Sequence, residues 1–372
     1  MKIKERIMAA LRHEKPDVIP FTVYAGLMPR GYGERELRNM GLGFVDYAIS
    51  VYGLKTPKVT QETIVDAASF SLAERLTVIP FQKRIIDRNY VTPVGKVSEK
   101  FKAGYSIGVD WPVEWAIKDL KDYETVMYVI DETEYFPNYE EFIKSEKIMG
   151  DDGIVPAVTP TSPLNSLIHY IMGIKTFSIH YNKYRKEWEE LHGLLAKKQL
   201  EIYKIVADSP AETIFCDENV NSLINSPRLF EKYNVPFYDE AAQILHKKDK
   251  ILMVHCDGKL KALSDLIQKS KIDVVEAFTP PPIGDLPVSE ARAAWKGKII
   301  WTNFPATVWL EGGLDGVERE TIKIIKDAAP GDNFALGITE DIGDIRSLDY
   351  IEILRTITRT TMKHGVYPIS RS

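Results

Sequence analysis

His255-Cys256-Asp257-Gly258 is the stretch of this chain best equipped for chemistry: an imidazole, a thiol and a carboxylate in three consecutive residues, closed by a glycine. It ends an apolar run, Ile251-Leu252-Met253-Val254, and alternation along an extended strand sorts these side chains onto two faces. Ile251, Met253, His255 and Asp257 share one face. Leu252, Val254 and Cys256 share the other, which is wholly apolar and suits packing against helices. His255 and Asp257 are therefore expected to project inward at the carboxyl end of the strand. Other apolar runs end in groups of the same kind. Glu276 lies between Val275 and Ala277, Asn303 ends Ile299–Asn303, Glu340 follows Phe334–Ile338, and Glu218 follows Thr213–Cys216. One histidine and several carboxylates converging from strand ends make either a metal site or an acid/base site. Cys216 shares the parity of Glu218, so either thiol is an alternative ligand, against the plainer reading of a small buried hydrophobe. Asp217 and Asp341 read as helix caps or solvated loop charges. Tyr24, Phe278 and Trp301 stand near strand ends and are expected to wall an aromatic substrate, core packing being the alternative.

The elements that must position these residues are legible in the second half of the chain. The runs Thr213–Cys216, Ile251–His255, Val274–Phe278, Ile299–Asn303 and Phe334–Ile338 alternate with helical patterns. Near-continuous apolar strands alternating with helices imply a parallel sheet covered on both faces. Ile154–Val158, Val18–Tyr24 and Val126–Ile130 supply earlier strands, and eight would close a (β/α)8 (TIM) barrel. Barrel active sites lie at the carboxyl ends of the strands. The helices have stops and starts: Ser289 is expected to cap one through Trp295, and Asp315 one through Ala329. Residues 45–125 break the alternation and carry a hairpin around Pro93–Gly95. The chain is read as one barrel domain, 1–372, with 45–125 as an elaboration over or beside the barrel mouth.

Composition narrows the function. The 372 residues are 44% hydrophobic and 27% charged, with a formal net charge of −5. That balance speaks against nucleic acid as the main partner. Two cysteines exclude a disulfide framework. Met1–Pro16 reads as an amphipathic surface helix with no secretory segment, so a cytoplasmic location is expected. P-loop, GxSxG and strand-borne GxGxxG patterns are absent, which leaves phosphate, acyl-serine and dinucleotide chemistry without support.

Several segments carry a family likeness. The opening Lys4-Glu5-Arg6-Ile7-Met8-Ala9-Ala10-Leu11, with His13-Glu14-Lys15-Pro16-Asp17 and Ile19-Pro20-Phe21, resembles the start of the uroporphyrinogen decarboxylase superfamily. Thr92-Pro93-Val94-Gly95, His255–Gly258, Glu276–Asp285 and Gly337–Asp341 are similar to further landmarks of it. The likeness runs through nearly the whole chain and points to the branch of cobalamin-linked methyltransferases. It implies a (β/α)8 barrel, as the pattern does. The decarboxylase proper carries an Arg-Gln-Ala-Gly-Arg segment after its first strand. Here Gly26-Leu27-Met28-Pro29-Arg30-Gly31-Tyr32-Gly33 stands there, without the arginine pair.

Methyltransferases of the branch that use a thiol acceptor hold zinc with a His-x-Cys pair and a later cysteine. This chain has Asp257 where the thiolate should be and no cysteine after Cys256. An oxygen-rich ligand set makes a harder Lewis acid, suited to a substrate oxygen. The resemblance therefore implies an O-demethylating methyltransferase, passing a methyl group from a methoxylated, aromatic compound to a corrinoid protein. On this reading His255, Asp257, Glu340 and Glu218 hold zinc or position a proton donor, with Glu276 and Asn303 as catalytic residues. The corrinoid belongs to the partner; no nucleic acid or membrane is involved, and a homodimer is left open. The rivals are a metal-free lyase acting on a tetrapyrrole or other carboxylate with Arg30 and acidic residues, and a non-catalytic barrel that only binds a small molecule.

Overall fold

A computed structural model describes residues 1–28, 31–47, 49–65, 85–102, 110–340 and 348–369. Arg30, Asp341 and parts of the stretch 45–125 lie outside the described residues. The chain forms two compact units, one of residues 1–51, 137–160 and 203–372, the other of 52–136 and 161–202.

Among the described residues the first unit is built on nine parallel strands: β1 (Phe21–Tyr24), β2 (Gly43–Val45), β3 (Gly153–Ile154), β4 (Ala157–Thr159), β5 (Thr213–Cys216), β6 (Ile251–His255), β7 (Val274–Phe278), β8 (Ile299–Asn303) and β9 (Phe334–Ile338). Their order in the sheet is β4-β5-β6-β7-β8-β9-β1-β2-β3. The two ends of that order, β3 and β4, are consecutive in the chain. Ile49, just past β2, bridges Ala157 in parallel, and Val158 N donates to Ile49 O at 2.9 Å. The nine segments thus occupy eight positions of a curled sheet, a TIM-barrel-like α/β fold. The last five strands match the apolar runs residue for residue, because each is buried on both faces and so reads as continuous hydrophobicity. One expected strand is a helix, and one strand was not expected. Val126–Ile130 lies within the helix Asp122–Glu132, since a five-residue apolar run does not by itself distinguish strand from helix. Gly43–Val45, too short for a visible pattern, is β2.

The helix expected to start at Asp315 begins at Thr307 and runs to Ala328 through a break at Gly313, whose φ of 56° no helix interior adopts. The helix expected from Ser289 is Val288–Ala294, with Pro287 at its N-cap. The first helix, Ile3–Leu11, buries Ile7, Ala10 and Leu11, and Arg6 Nε donates to Asp17 Oδ1 at 2.7 Å.

The second unit carries a four-stranded antiparallel sheet of Thr60–Val65, Ile85–Thr92, Gly95–Lys102 and Trp111–Glu114. Its central hairpin is the one expected around Pro93–Gly95. Thr92 Oγ1 accepts from Val94 N and Gly95 N at 3.2 and 3.1 Å, which fixes the turn. The helix Gly173–Lys183 and most of Arg185–Ala207 complete the unit around Phe177, Tyr181 and Trp188, whose rings meet edge-on or stacked.

Candidate active site

Neighbouring parallel strands carry paired residues on the same face, so register decides what converges. His255 pairs with Glu276 across β6 and β7. Both point to the barrel interior, and His255 Nδ1 lies 2.8 Å from Glu276 Oε2. Tyr24, the last residue of β1, donates its hydroxyl to Glu276 Oε1 at 2.7 Å. On the other side of the ring, His255 Nε2 stands 3.2 Å from Glu340 Oε1. Asp257 follows where the chain leaves β6, and Gly258 turns it with a φ of +77°; a Cβ there would meet Asn221 Nδ2 at 2.5 Å. One ligating atom each from His255, Asp257 and Glu340 lies within 4.8 Å of the others. Among the described residues, Asp257 Oδ1 is buried without a hydrogen-bond partner.

The electrostatics follow from burial and proximity. Burial opposes a charge on His255, but the hydrogen bond to Glu276 and the nearness of Glu340 outweigh it and hold the ring well above its ordinary pKa. Burial pushes the Asp257 carboxyl up to about 6, with His255 pulling the other way and Glu340 adding to the rise. Burial and the charge of Glu276 likewise raise the Tyr24 phenol.

Two residues of the site, Phe215 and Tyr47, escape a reading of the sequence, and a third, Asp217, reads there only as a cap or loop charge. Phe215 pairs with Met253, on the His255 face, and its ring meets that of His255 edge-on at 5.9 Å. Tyr47 lies beside Tyr24 and Phe215, with ring centroids 4.2 and 5.6 Å away. Burial, then the charges of Asp217, Glu276 and Glu340, lift its phenol to about 12. Asp217 shares the inward parity of Phe215. Its side chain reaches solvent yet is densely surrounded, and that surrounding raises its carboxyl against the pull of His255. The β5–β6 register would have revealed all but Tyr47, and register is set by the fold.

The other expected residues are placed elsewhere. Cys216 pairs with Val254, on the helix-facing side, and Glu218 continues that parity. Glu218 accepts from Tyr238 Oη at 2.8 Å, on the helix Val235–His246, so it stands behind the strands and outside the His255 group. Both thiols are buried, which raises their pKa values well above the ordinary thiol range. Phe278 is turned outward because Ala277 takes a φ of 57° and the β7–β8 register slips between Val275 and Phe278. It packs edge-on against Trp295 at 5.2 Å, in the strand–helix layer. Trp301 faces inward one layer deeper, donating Nε1 to Thr22 Oγ1 at 3.1 Å, and is 1% exposed. Asn303 is buried; it donates to Thr279 Oγ1 at 3.3 Å and accepts from Thr339 N at 3.0 Å, which fixes the backbone just before Glu340.

A curled parallel sheet with an imidazole and carboxylates at its carboxyl ends defines the class: a TIM-barrel-like protein with its polar site in the usual place for that fold. Residues 114–339 match the uroporphyrinogen decarboxylase (URO-D) family, and the chain belongs to it. A solved structure of a methyltransferase from Methanosarcina mazei shares the fold, with a TM-score of 0.58 and 12% identity over 98% of this chain and 99% of that one. A second, an L-Ala-D/L-Glu epimerase, reaches a TM-score of only 0.22 at 9% identity over 86% and 92% of the two chains, and carries no argument. No curated protein matches the sequence. No helix among the described residues is long and apolar enough to cross a membrane.

Proposed function

We propose that this chain is a methyltransferase that moves a methyl group from a methoxylated aromatic small molecule to a corrinoid carried by a partner protein, with zinc held by His255, Asp257 and Glu340. The observation that carries the reading is the convergence of these three residues around an Asp257 oxygen that is buried and, among the described residues, without a hydrogen-bond partner. A buried carboxylate oxygen without a donor is costly unless a cation or proton reaches it. The donor set fits the metal: one nitrogen and two carboxylates leave a coordination position open, as catalytic rather than structural zinc sites do. Bound there, zinc would supply Lewis-acid polarisation of an ether oxygen. Glu276 turns the imidazole by taking Nδ1, which leaves Nε2 on the Glu340 side. Asn303 acts through the backbone of Thr339 rather than on substrate. The URO-D family and the methyltransferase whose fold this chain shares support the same reading.

Two measurements test it. Purified protein should contain about one zinc per chain, largely lost in His255→Ala, as expected for removal of one of three protein ligands. Incubation with methoxylated aromatics and reduced cobalamin should yield methylcobalamin. Metal-free wild-type protein that decarboxylates porphyrinogens instead would overturn the proposal.

A further inference from the structure

We infer that Tyr24 is a positioning residue of this site: through Glu276, its hydroxyl holds the His255 ring so that Nε2 is presented on the Glu340 side. The inference rests on the reading of His255, Asp257 and Glu340 as a ligand group. It also reassigns Tyr24, which the sequence placed in a substrate wall.

Glu276 is 1% exposed. A carboxylate at that depth requires hydrogen-bond donors. Among the described residues it has two, one on each oxygen: Tyr24 Oη at 2.7 Å from Oε1 and His255 Nδ1 at 2.8 Å from Oε2. The phenol therefore fixes the plane of the carboxylate, and the carboxylate fixes the plane of the imidazole. Tyr24 itself is held rigidly. It is 4% exposed, ends β1 in register with Val45, and is flanked by the rings of Tyr47 and Phe215 at 4.2 and 6.4 Å. Its oxygen also lies 3.4 Å from His255 Nδ1, a longer and weaker contact than the 2.8 Å one from Nδ1 to Glu276. Without the hydroxyl, Oε1 loses its donor. The carboxylate can regain one only by turning, which takes Oε2 away from Nδ1 and frees the ring. Loss of the partner that directly orients a metal-ligating histidine commonly weakens metal affinity by roughly 10–100-fold; that partner here is Glu276, and Tyr24 acts on it from one step further out.

The test compares Tyr24→Phe with Tyr203→Phe. Tyr203 is also fully buried, and its hydroxyl lies 3.0 Å from Thr159 Oγ1 on the helix-facing side of β4, so it controls for the loss of any buried hydroxyl. Zinc affinity is measured by chelator competition. The His255 ring nitrogens are followed by 15N NMR in metal-free, histidine-labelled protein, with circular dichroism to confirm folding. We expect Tyr24→Phe to bind zinc about 10-fold more weakly, the lower end of the range for a direct partner, and to shift the His255 nitrogens, and Tyr203→Phe to do neither. Wild-type zinc affinity in Tyr24→Phe, or equal weakening in both variants, overturns the inference. If wild-type protein binds no zinc, the ligand reading fails and the nitrogen shifts alone decide. A change confined to Tyr24→Phe supports the positioning role, and unchanged shifts remove it.

Discussion

Asp257 concentrates the tension of the site. Its carboxyl titrates near 6, above the ordinary 3.8, chiefly because burial penalises the charge. In metal-free protein the folded state therefore binds more protons than the unfolded state between those two values. The sign follows: stability is greatest below the unfolded pKa and is lost as pH rises through the folded one. The loss is at most about 3 kcal/mol for a shift of this size. Asp257→Asn should make chelator-treated protein more stable than wild type at pH 8, with the gap falling to about a third of that by pH 4.5, while zinc binding falls. Denaturant melts at the two pH values would show it; an equal gap at both would remove burial of the charge as the cause.

At the scale of elements, a slip in one strand decides what the barrel offers. Plain alternation puts Phe278 on the face of Glu276. The left-handed conformation of Ala277 turns Phe278 out against Trp295, and Thr279 Oγ1 donates to Ala277 O at 2.9 Å across the same kink. Irregularities of this kind re-aim side chains near active sites. A β-branched residue is strained at positive φ, so Ala277→Val should destabilise the fold by about 2 kcal/mol or more. Ala277→Gly should be at least as stable as wild type. Urea midpoints for the two variants decide, and a well-tolerated valine would argue against the kink. Gly258 works in the same way after β6, where its positive φ and the nearness of Asn221 leave no room for a side chain.

At the scale of the whole molecule, stability and chemistry sit at different places. The first helix buries Leu11 to 2% exposure and is pinned by Arg6 to Asp17, at the amino-terminal approach to β1. The polar group lies at the opposite, carboxyl ends of the strands. Leu11→Ala should cost about 2–5 kcal/mol of stability, as other buried leucines do, and leave the zinc affinity of the folded protein unchanged. A parallel fall in affinity would show that the amino-terminal face and the site are coupled.

The sequence alone determined the parallel α/β architecture, the last five strands and the inward pair His255 and Asp257, because a strand buried on both faces writes itself as an unbroken apolar run and its polar ends stand out. It also singled out Glu276 and Glu340, since each interrupts or follows such a run. Only the tertiary structure decided which of these groups meet. Register between β5 and β6 turned Glu218 and Cys216 toward the helices and brought Phe215 inward. The kink at Ala277 removed Phe278, and a hydrogen bond between residues 252 positions apart tied Tyr24 to Glu276. The physical reason is common to all three. Alternation is a local property with a period of two, whereas register and backbone irregularity are set by neighbouring strands far away in the chain, and a shift of one residue exchanges the two faces.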